Sequence, residues 1–368
     1  MFSKTLKHFL CVWMFLAMSI SLPAETISQA ESSNSEAAPL DVKELILEHL
    51  KDDYEWHIAT FKDKSISIPL PIILYSKNSG VQLFSSAKFH QNDGYYNGFY
   101  ISKSGKYKGK IVETDASGNE IRPIDLSLTK NALSLLIGSF LLIIFMLLIA
   151  RTYKNEPIKP KKGLVGAMEI FILSVYDDVI KPVLGEDYKR YRYYLLTLFF
   201  FIFFNNILGL VPIFPGGANV TGNIAVTLTL ALSTFLIVNL SGTKEYYKEI
   251  FWPDVPVWLK FPFPLMIIIE LVGLITKPFA LMIRLFANIM AGHAIVLGLA
   301  SLIFITAHMG AALSSSMTGF SVVLIIFIYF IEMLVAYIQA YVFTIFTAIF
   351  INGARVKQKK AEKSLEST

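Results

Sequence analysis

Six polar side chains that could do chemistry stand in the apolar C-terminal half of a 368-residue chain: Glu270, Arg284, Asn288, His293, Glu332 and Gln339. Arg284 poses the sharpest chemical problem. Placing a guanidinium at the centre of a bilayer costs at least ~2.5–3.5 kcal/mol on insertion scales. Lysine or glutamate can escape by neutralising, but arginine cannot, because its pKa lies above about 12. A permanent cation in such a run needs a partner. The nearest acid upstream, Glu270, is on the order of 21 Å away along a helix, too far for contact. The simplest reading is that Arg284 answers an acid on another chain. The competing reading is a helix-end arginine reaching the headgroups. Apolar residues continue well past Arg284 on its C-terminal side, which disfavours it.

The spacing sorts these residues onto faces. Glu270, Arg284 and Asn288 share one face of a helix, with Gly273 and Ala280 near it to admit a close neighbour. His293 lies nine residues beyond Arg284 and so points to the opposite side, toward a second long helix. That helix carries Glu332 and Gln339 on one face, with Ala336 and Ala340 beside them. A histidine and a carboxylate on facing helices form a natural ionisable pair, because histidine titrates near neutral pH and a carboxylate raises its pKa. The bland alternative is that these are packing groups held by interhelical hydrogen bonds. Taken together, the residues describe two polar patches at different depths separated by one fixed cation. Two half-channels would need that arrangement, with the cation blocking direct leakage by repulsion.

Such residues must be carried by membrane helices. The chain is 54% hydrophobic, its mean hydropathy is +0.54, and several uncharged runs approach or exceed ~18 residues. The net charge of +5 comes from basic residues in loops and the tail, a mark of topology rather than of nucleic-acid binding. The single cysteine, Cys11, lies in a segment expected to be removed, so no disulfide or thiol metal site is expected.

Residues 1–24 read as a secretory signal: Lys4 and Lys7, an apolar stretch from Phe9 to Leu22, and a small-residue site after Ala24. An uncleaved membrane helix is the alternative. Residues 25–39 are rich in Ser, Ala and Glu and read as a linker. Asp41 and Glu44 resemble a capping box that opens a helix through Val42, Leu45, Ile46 and His49. Alternation over Ser65–Tyr75 and Tyr95–Thr114 predicts short strands and hairpins. Residues 25–128 are therefore expected to form an extracytoplasmic linker and a small α+β domain. His57 and His90 are too isolated to suggest a metal site.

Residues 129–355 are expected to form the membrane domain. The first span covers Ala132–Ala150, and the basic cluster from Arg151 to Lys162 puts its end in the cytoplasm. Residues 163–185, interrupted by Asp177, Asp178 and Lys181, read as an interfacial helix. Tyr194–Val211 spans outward with Asn205 and Asn206 inside it. Asn223–Leu240 returns, with Thr227, Thr229 and Ser233 on one side. From Phe263 to His308 nothing reads as a loop, although Pro278 should kink the helix. One helix of that length would be about 69 Å long, over twice a ~30 Å hydrocarbon core. The basic tail at 356–368 stays inside only if this stretch crosses once. The expected fold is thus an all-α polytopic membrane protein of about five transmembrane helices plus one interfacial helix. It ends in a long tilted hairpin and carries a small α+β extracytoplasmic domain.

Arg284-Leu-Phe-Ala-Asn288, with Thr276-Lys277-Pro278 upstream and Ile338-Gln-Ala-Tyr-Val-Phe343 downstream, resembles subunit a of bacterial F-type ATP synthases. The likeness extends over roughly 130–355 and includes Asn205-Asn-Ile-Leu-Gly-Leu-Val-Pro212 and Thr221-Gly-Asn-Ile-Ala-Val-Thr-Leu228. The resemblance implies a non-catalytic stator subunit in the bacterial inner membrane, without cofactor or metal. Its implied partners are the c-subunit ring, the b-subunit stalk, lipid and the translocated proton. Arg284 matches the family's essential arginine, His293 and Glu332 the ionisable pair of the periplasmic half-channel, and Glu270 the acid near the cytoplasmic one. Asn288 and Gln339 match polar neighbours of the arginine. The acid and histidine stand in the order of mitochondrial members, exchanged relative to some bacterial ones. The domain at 25–128 is larger than the family's usual exported N-terminus, and capping the outer half-channel or docking a partner are both open for it.

A sodium-translocating version of the same subunit and a secondary transporter are the competing functions. Transporters commonly show internal repeats with paired broken helices, and this sequence has no such halves. A membrane anchor for the exported domain would leave Arg284, His293 and Glu332 unexplained. No phosphate-binding glycine loop with Lys-Ser/Thr occurs in the sequence.

Overall fold

A computed structural model describes residues 52–61, 64–77, 79–91, 94–102, 105–114, 118–155, 161–211, 216–252, 265–307 and 311–355. The leader at 1–24, the linker, the Asp41–Glu44 helix start, the tail at 356–368 and the side chains of His57 and His90 lie outside the described residues. The chain divides into two compact bodies. One holds residues 1–138, 208–220 and 293–329, and the other holds 139–207, 221–292 and 330–368.

The first body contains the expected strand domain. Strand β1 (Glu55–Phe61) pairs antiparallel with β2 (Lys64–Pro69). Strand β3 (Pro71–Ser76) runs antiparallel to β4 (Gly80–Ser85) on one edge and to β9 (Ile124–Asp125) on the other. A meander of β5 (Tyr95–Tyr96), β6 (Phe99–Ile101), β7 (Ile111–Thr114) and β8 (Glu120–Ile121) forms a third sheet. A short helix α1 (Ala87–Gln91) follows β4. Along β3 the side chains alternate as a half-buried strand should: Ile72, Leu74 and Ser76 are buried while Pro71 and Tyr75 are exposed. Ile72 and Leu74 join Tyr54, Phe84, Phe89, Phe99 and Ile111 in one core. Phe84 and Phe89 meet edge to face at 5.4 Å.

One polar contact is buried with that core and a second lies at its edge. Ser76 donates its hydroxyl to the carboxylate of Glu113, at 2.7 Å from both oxygens. The Tyr54 hydroxyl donates to Asp125 Oδ2 at 2.5 Å. Burial first, and the Asp125 carboxylate second, hold the Tyr54 hydroxyl well above the usual tyrosine range.

The strand domain also starts the first long helix. Helix α2 (Lys130–Asn155) must satisfy its first backbone N–H groups without helical partners. Lys130 N donates to the carbonyl of Asp53 at 2.9 Å. Asn131 N donates to Asp52 Oδ1 at 3.0 Å. Ala132 N reaches Thr129 Oγ1 and Leu133 N reaches the Thr129 carbonyl. Two of these four caps come from residues almost eighty positions upstream, so the helix end and the domain are one mechanical unit.

The second body is helical. Helix α3 (Leu164–Leu173) runs through a π-helical segment (Ser174–Ile180), the single turn α4 (Lys181–Leu184) and a 3-10 turn (Gly185–Asp187) into α5 (Tyr188–Leu210). The sequence predicts an interfacial helix and a separate span here. The wide turn leaves Asp177 and Asp178 outside and Val175, Val179 and Ile180 buried, and Gly185, at φ 55° and ψ −123°, interrupts the helical path before α5. Helix α6 (Ile224–Leu240) opens on the Asn223 side chain, which accepts from Ala225 N. It then bends by 104° into α7 (Lys244–Phe251). Thr227 is buried and Thr229 exposed. Two residues on a helix differ by about 200°, so these threonines do not share a side as the sequence reading had them.

Helix α8 (Leu265–Thr306) is continuous through Pro278, and α9 (Ala311–Ala354) follows it. In the second body Lys277 Nζ lies 5.9 Å from the Phe350 ring and the Arg284 guanidinium 5.1 Å from the Phe346 ring. The contacts step up one helix as they step down the other, so the two helices run antiparallel. Fully buried Ala336, Ala340 and Ala348 give α9 a small-residue face for close packing. Tyr337 fills the space beside them, with ring centroids 5.4 Å from Phe171, 5.9 Å from Phe199 and 6.0 Å from Phe203. Arg355 closes the end of α9, donating to both carboxylate oxygens of Asp187 at 2.7 and 3.1 Å.

Among the described residues four helices are long and apolar enough to cross a membrane, or five if the bent pair α6–α7 counts as a span. Two measurements test the strand domain. Asp52→Ala should weaken the start of α2 by about 1 kcal/mol, read as several-fold faster hydrogen exchange at the amides of 131–133. The raised Tyr54 pKa makes the domain lose stability as pH climbs past the ordinary tyrosine value of 10.0. There the unfolded side chain ionises while the folded one keeps its proton. Tyr54→Phe should remove that alkaline loss from denaturant midpoints.

Candidate functional site

Five of the six polar residues belong to the helical body, and they divide by exposure. On α8, Leu281, Met282, Leu285 and Ile289 are buried, while Arg284 and Asn288 are exposed. Leu281 and Leu285 join the helical core, while Arg284 and Asn288, four residues apart and so on one face, are turned away from it. The Arg284 guanidinium forms no ion pair among the described residues. Its near neighbour is the Phe346 ring of α9, a cation–π contact worth about 0.5–1 kcal/mol at an exposed site. That contact steadies the side chain but does not neutralise it.

The other groups sit on the packed side. Glu332 and Gln339 of α9 are buried, at 8% and 7% exposure. Glu332 Oε2 finds no donor among the described residues. Ala336, one turn beyond Glu332, is held from behind. Its carbonyl accepts from Asn206 Nδ2 at 3.5 Å, and Asn206 Oδ1 in turn accepts from Thr221 Oγ1 at 2.7 Å. Asn206 is 3% and Thr221 1% exposed, so this chain of donors ties α5, the turn before α6 and α9 inside the core. The sequence shows Asn206 as an amide inside an apolar span, which must find partners once buried, but not that Thr221 and the Ala336 carbonyl are those partners.

Glu270 is half-buried on α8. It lines a cavity of about 370 Å³ with Tyr246 and Glu249 of α7, Lys277 of α8 and Phe350 of α9. Most of its lining is apolar, and Glu249 of α7 with Glu270 and Lys277 of α8 bring charged groups to it. His293 belongs to the first body and is half-buried there. Its Nε2 lies 4.0 Å from the point where a Cβ on Gly209 would stand. Among the described residues no group of three His, Cys, Asp or Glu side chains could hold a metal ion.

The buried amide is testable. Asn206→Ala leaves the Thr221 hydroxyl and the Ala336 carbonyl without that partner, which costs about 1–3 kcal/mol. Thermal unfolding of the purified subunit in detergent should fall by several degrees, and an unchanged midpoint would show the network to be dispensable.

Known proteins resemble this one over the same helices. Residues 132–352 match the family model for the ATP synthase A chain. Residues 45–130 match a model for a domain of unknown function, DUF8433. ATP synthase subunit a of Chlorobium phaeobacteroides (strain DSM 266) is 40% identical over 245 residues, covering 65% of this chain and 68% of that protein. Subunit a of Pelodictyon phaeoclathratiforme is 40% identical over 249 residues, 66% of this chain and 69% of the relative. Subunit a of Myxococcus xanthus is 38% identical over 234 residues, 62% and 73% of the two chains. The family match covers α2 through nearly the end of α9 and contains all six polar residues, so this chain belongs to the ATP synthase A chain family.

Proposed function

We propose that the chain is the stator channel subunit of an Fo sector, in which Arg284 faces a turning ring of c subunits and meets the carboxylate of each in turn. The observation that carries this reading is the exposed guanidinium of Arg284 on a helix whose neighbouring residues Leu281 and Leu285 are packed in the core. A cation that cannot lose its proton favours the ionised form of any carboxylate brought beside it. A rotor carboxylate arriving there gives up its proton to one half-channel. After passing the arginine it takes a proton from the other and travels through lipid neutral, since a charge there is costly. The arginine keeps the two paths apart by repelling protons.

His293 and Glu332 would line the periplasmic half-channel. Glu270, in the cavity it lines with Glu249 and Lys277, would line the cytoplasmic one, and Asn288 and Gln339 would keep the arginine's surroundings polar. The subunit moves protons and carries no nucleotide chemistry itself. Its partners are the c ring, the b stalk and lipid. Five spans and an interfacial segment, ending in the tilted hairpin α8–α9, account for the basic loop near 151–162 and the basic tail at 356–368 lying together in the cytoplasm of the bacterial inner membrane. On that topology residues 1–24 are a leader, 25–128 a periplasmic linker and domain, and 129–355 the membrane domain.

Arg284→Ala should reduce ATP-driven proton pumping into inverted vesicles to background while the c ring and this subunit still co-purify. Normal pumping in that assembled variant would refute the assignment. Glu332→Gln should slow pumping, and His293→Glu combined with Glu332→His should recover part of it. If both single changes at 293 and 332 are silent, those residues do not line a proton path.

A further inference from the structure

Helix α8 contains three glycines, and one of them stands apart. At Gly273 and Gly298 an added Cβ would meet nothing within 4 Å. At Gly292 an added Cβ would overlap Oε1 of Glu332, standing 2.9 Å from its Cδ and 3.1 Å from its Cγ. The end of the Glu332 side chain therefore occupies the volume that any other residue at 292 would fill. Glycine inside a helix is about 1 kcal/mol less favourable than alanine, so local propensity alone argues against it here.

The surroundings leave the glutamate little room to retreat. Glu332 is buried, and Ala336, one turn along the same side of α9, is 0% exposed. The backbone behind Ala336 is held by Asn206. Moving α9 away from α8 would open this packing, and a close-packed interior resists that. An added methyl at 292 would thus be accommodated by turning the Glu332 carboxyl to another rotamer.

We infer that Gly292 is a positioning residue for Glu332: its missing side chain is the seat in which the carboxyl lies, and it sets the direction in which that carboxyl is presented to the proton path. The inference rests on the half-channel role proposed for Glu332. It adds a residue without ionisable atoms to the machinery, acting through shape.

The test uses the assembled complex in inverted vesicles. Gly292→Ala should lower ATP-driven pumping at least about tenfold and displace its pH profile, because misplacing a reacting group by on the order of 1 Å can cost ~100-fold. Glu332→Asp draws the carboxyl back by one methylene and clears the added methyl. Gly292→Ala combined with Glu332→Asp should therefore pump no worse than Glu332→Asp alone. Wild-type pumping in Gly292→Ala, or losses that simply multiply in the double variant, would overturn the inference. Should Gly292→Ala fail to assemble, Gly292→Ala with Glu332→Ala decides the matter. Assembly restored by removing the colliding side chain supports the seat, and continued failure overturns it. Failure of the underlying reading has a different signature: Glu332→Gln pumping normally would remove Glu332 from the proton path, and this inference with it, whatever the steric coupling between the two positions.

Discussion

The fixed charge of Arg284 is the constraint around which the helical body is arranged. A guanidinium cannot be silenced by losing a proton, so the fold can bury it against an internal acid or leave it facing outward for one supplied by a neighbour. This fold does the second. Leu281, Met282, Leu285 and Ile289 turn inward and Arg284 with Asn288 turns out. The ring of Phe346 supplies only a weak stabilising surface beneath the charge. Within the described residues the cation has no ion-pair partner.

The packed side of the same helices handles its polar groups by the opposite rule. Inside the core a polar atom without a partner is costly. The amide of Asn206 is accordingly tied to Thr221 and to the backbone of α9. Close approach of the helices comes from Ala336, Ala340 and Ala348. The result is a closely packed α8–α9 pair that holds Glu332 and Gln339 buried while Arg284 and Asn288 stay exposed. Rigidity on one side and uncompensated charge on the other belong to a single design.

The strand domain adds a different kind of constraint. Its core of Tyr54, Ile72, Leu74, Phe84 and Phe99 is ordinary for a small domain. What matters is the joint, where Asp52 and Asp53 cap the first turn of α2. Backbone N–H groups at a helix start need acceptors, and here the acceptors come from the domain itself. The domain is therefore joined to the first turn of α2 by hydrogen bonds as well as by the chain.

The sequence by itself determined the membrane class, the alternation in β3, the long α8–α9 pair and the identity of the polar residues that interrupt it. These follow from composition and period, which are local properties of a chain. Helical spacing also put Arg284 and Asn288 on one face, because rotation per residue is fixed by the backbone. Only the tertiary structure decided the rest. It showed that Asp177 and Asp178 pass through a π turn without breaking the helix. It separated buried Thr227 from exposed Thr229, brought Asn206 to Ala336 across 130 residues, and set Gly292 under Glu332. Such pairings depend on how helices distant in sequence settle against each other, and no periodicity within one helix encodes the register it adopts with the next.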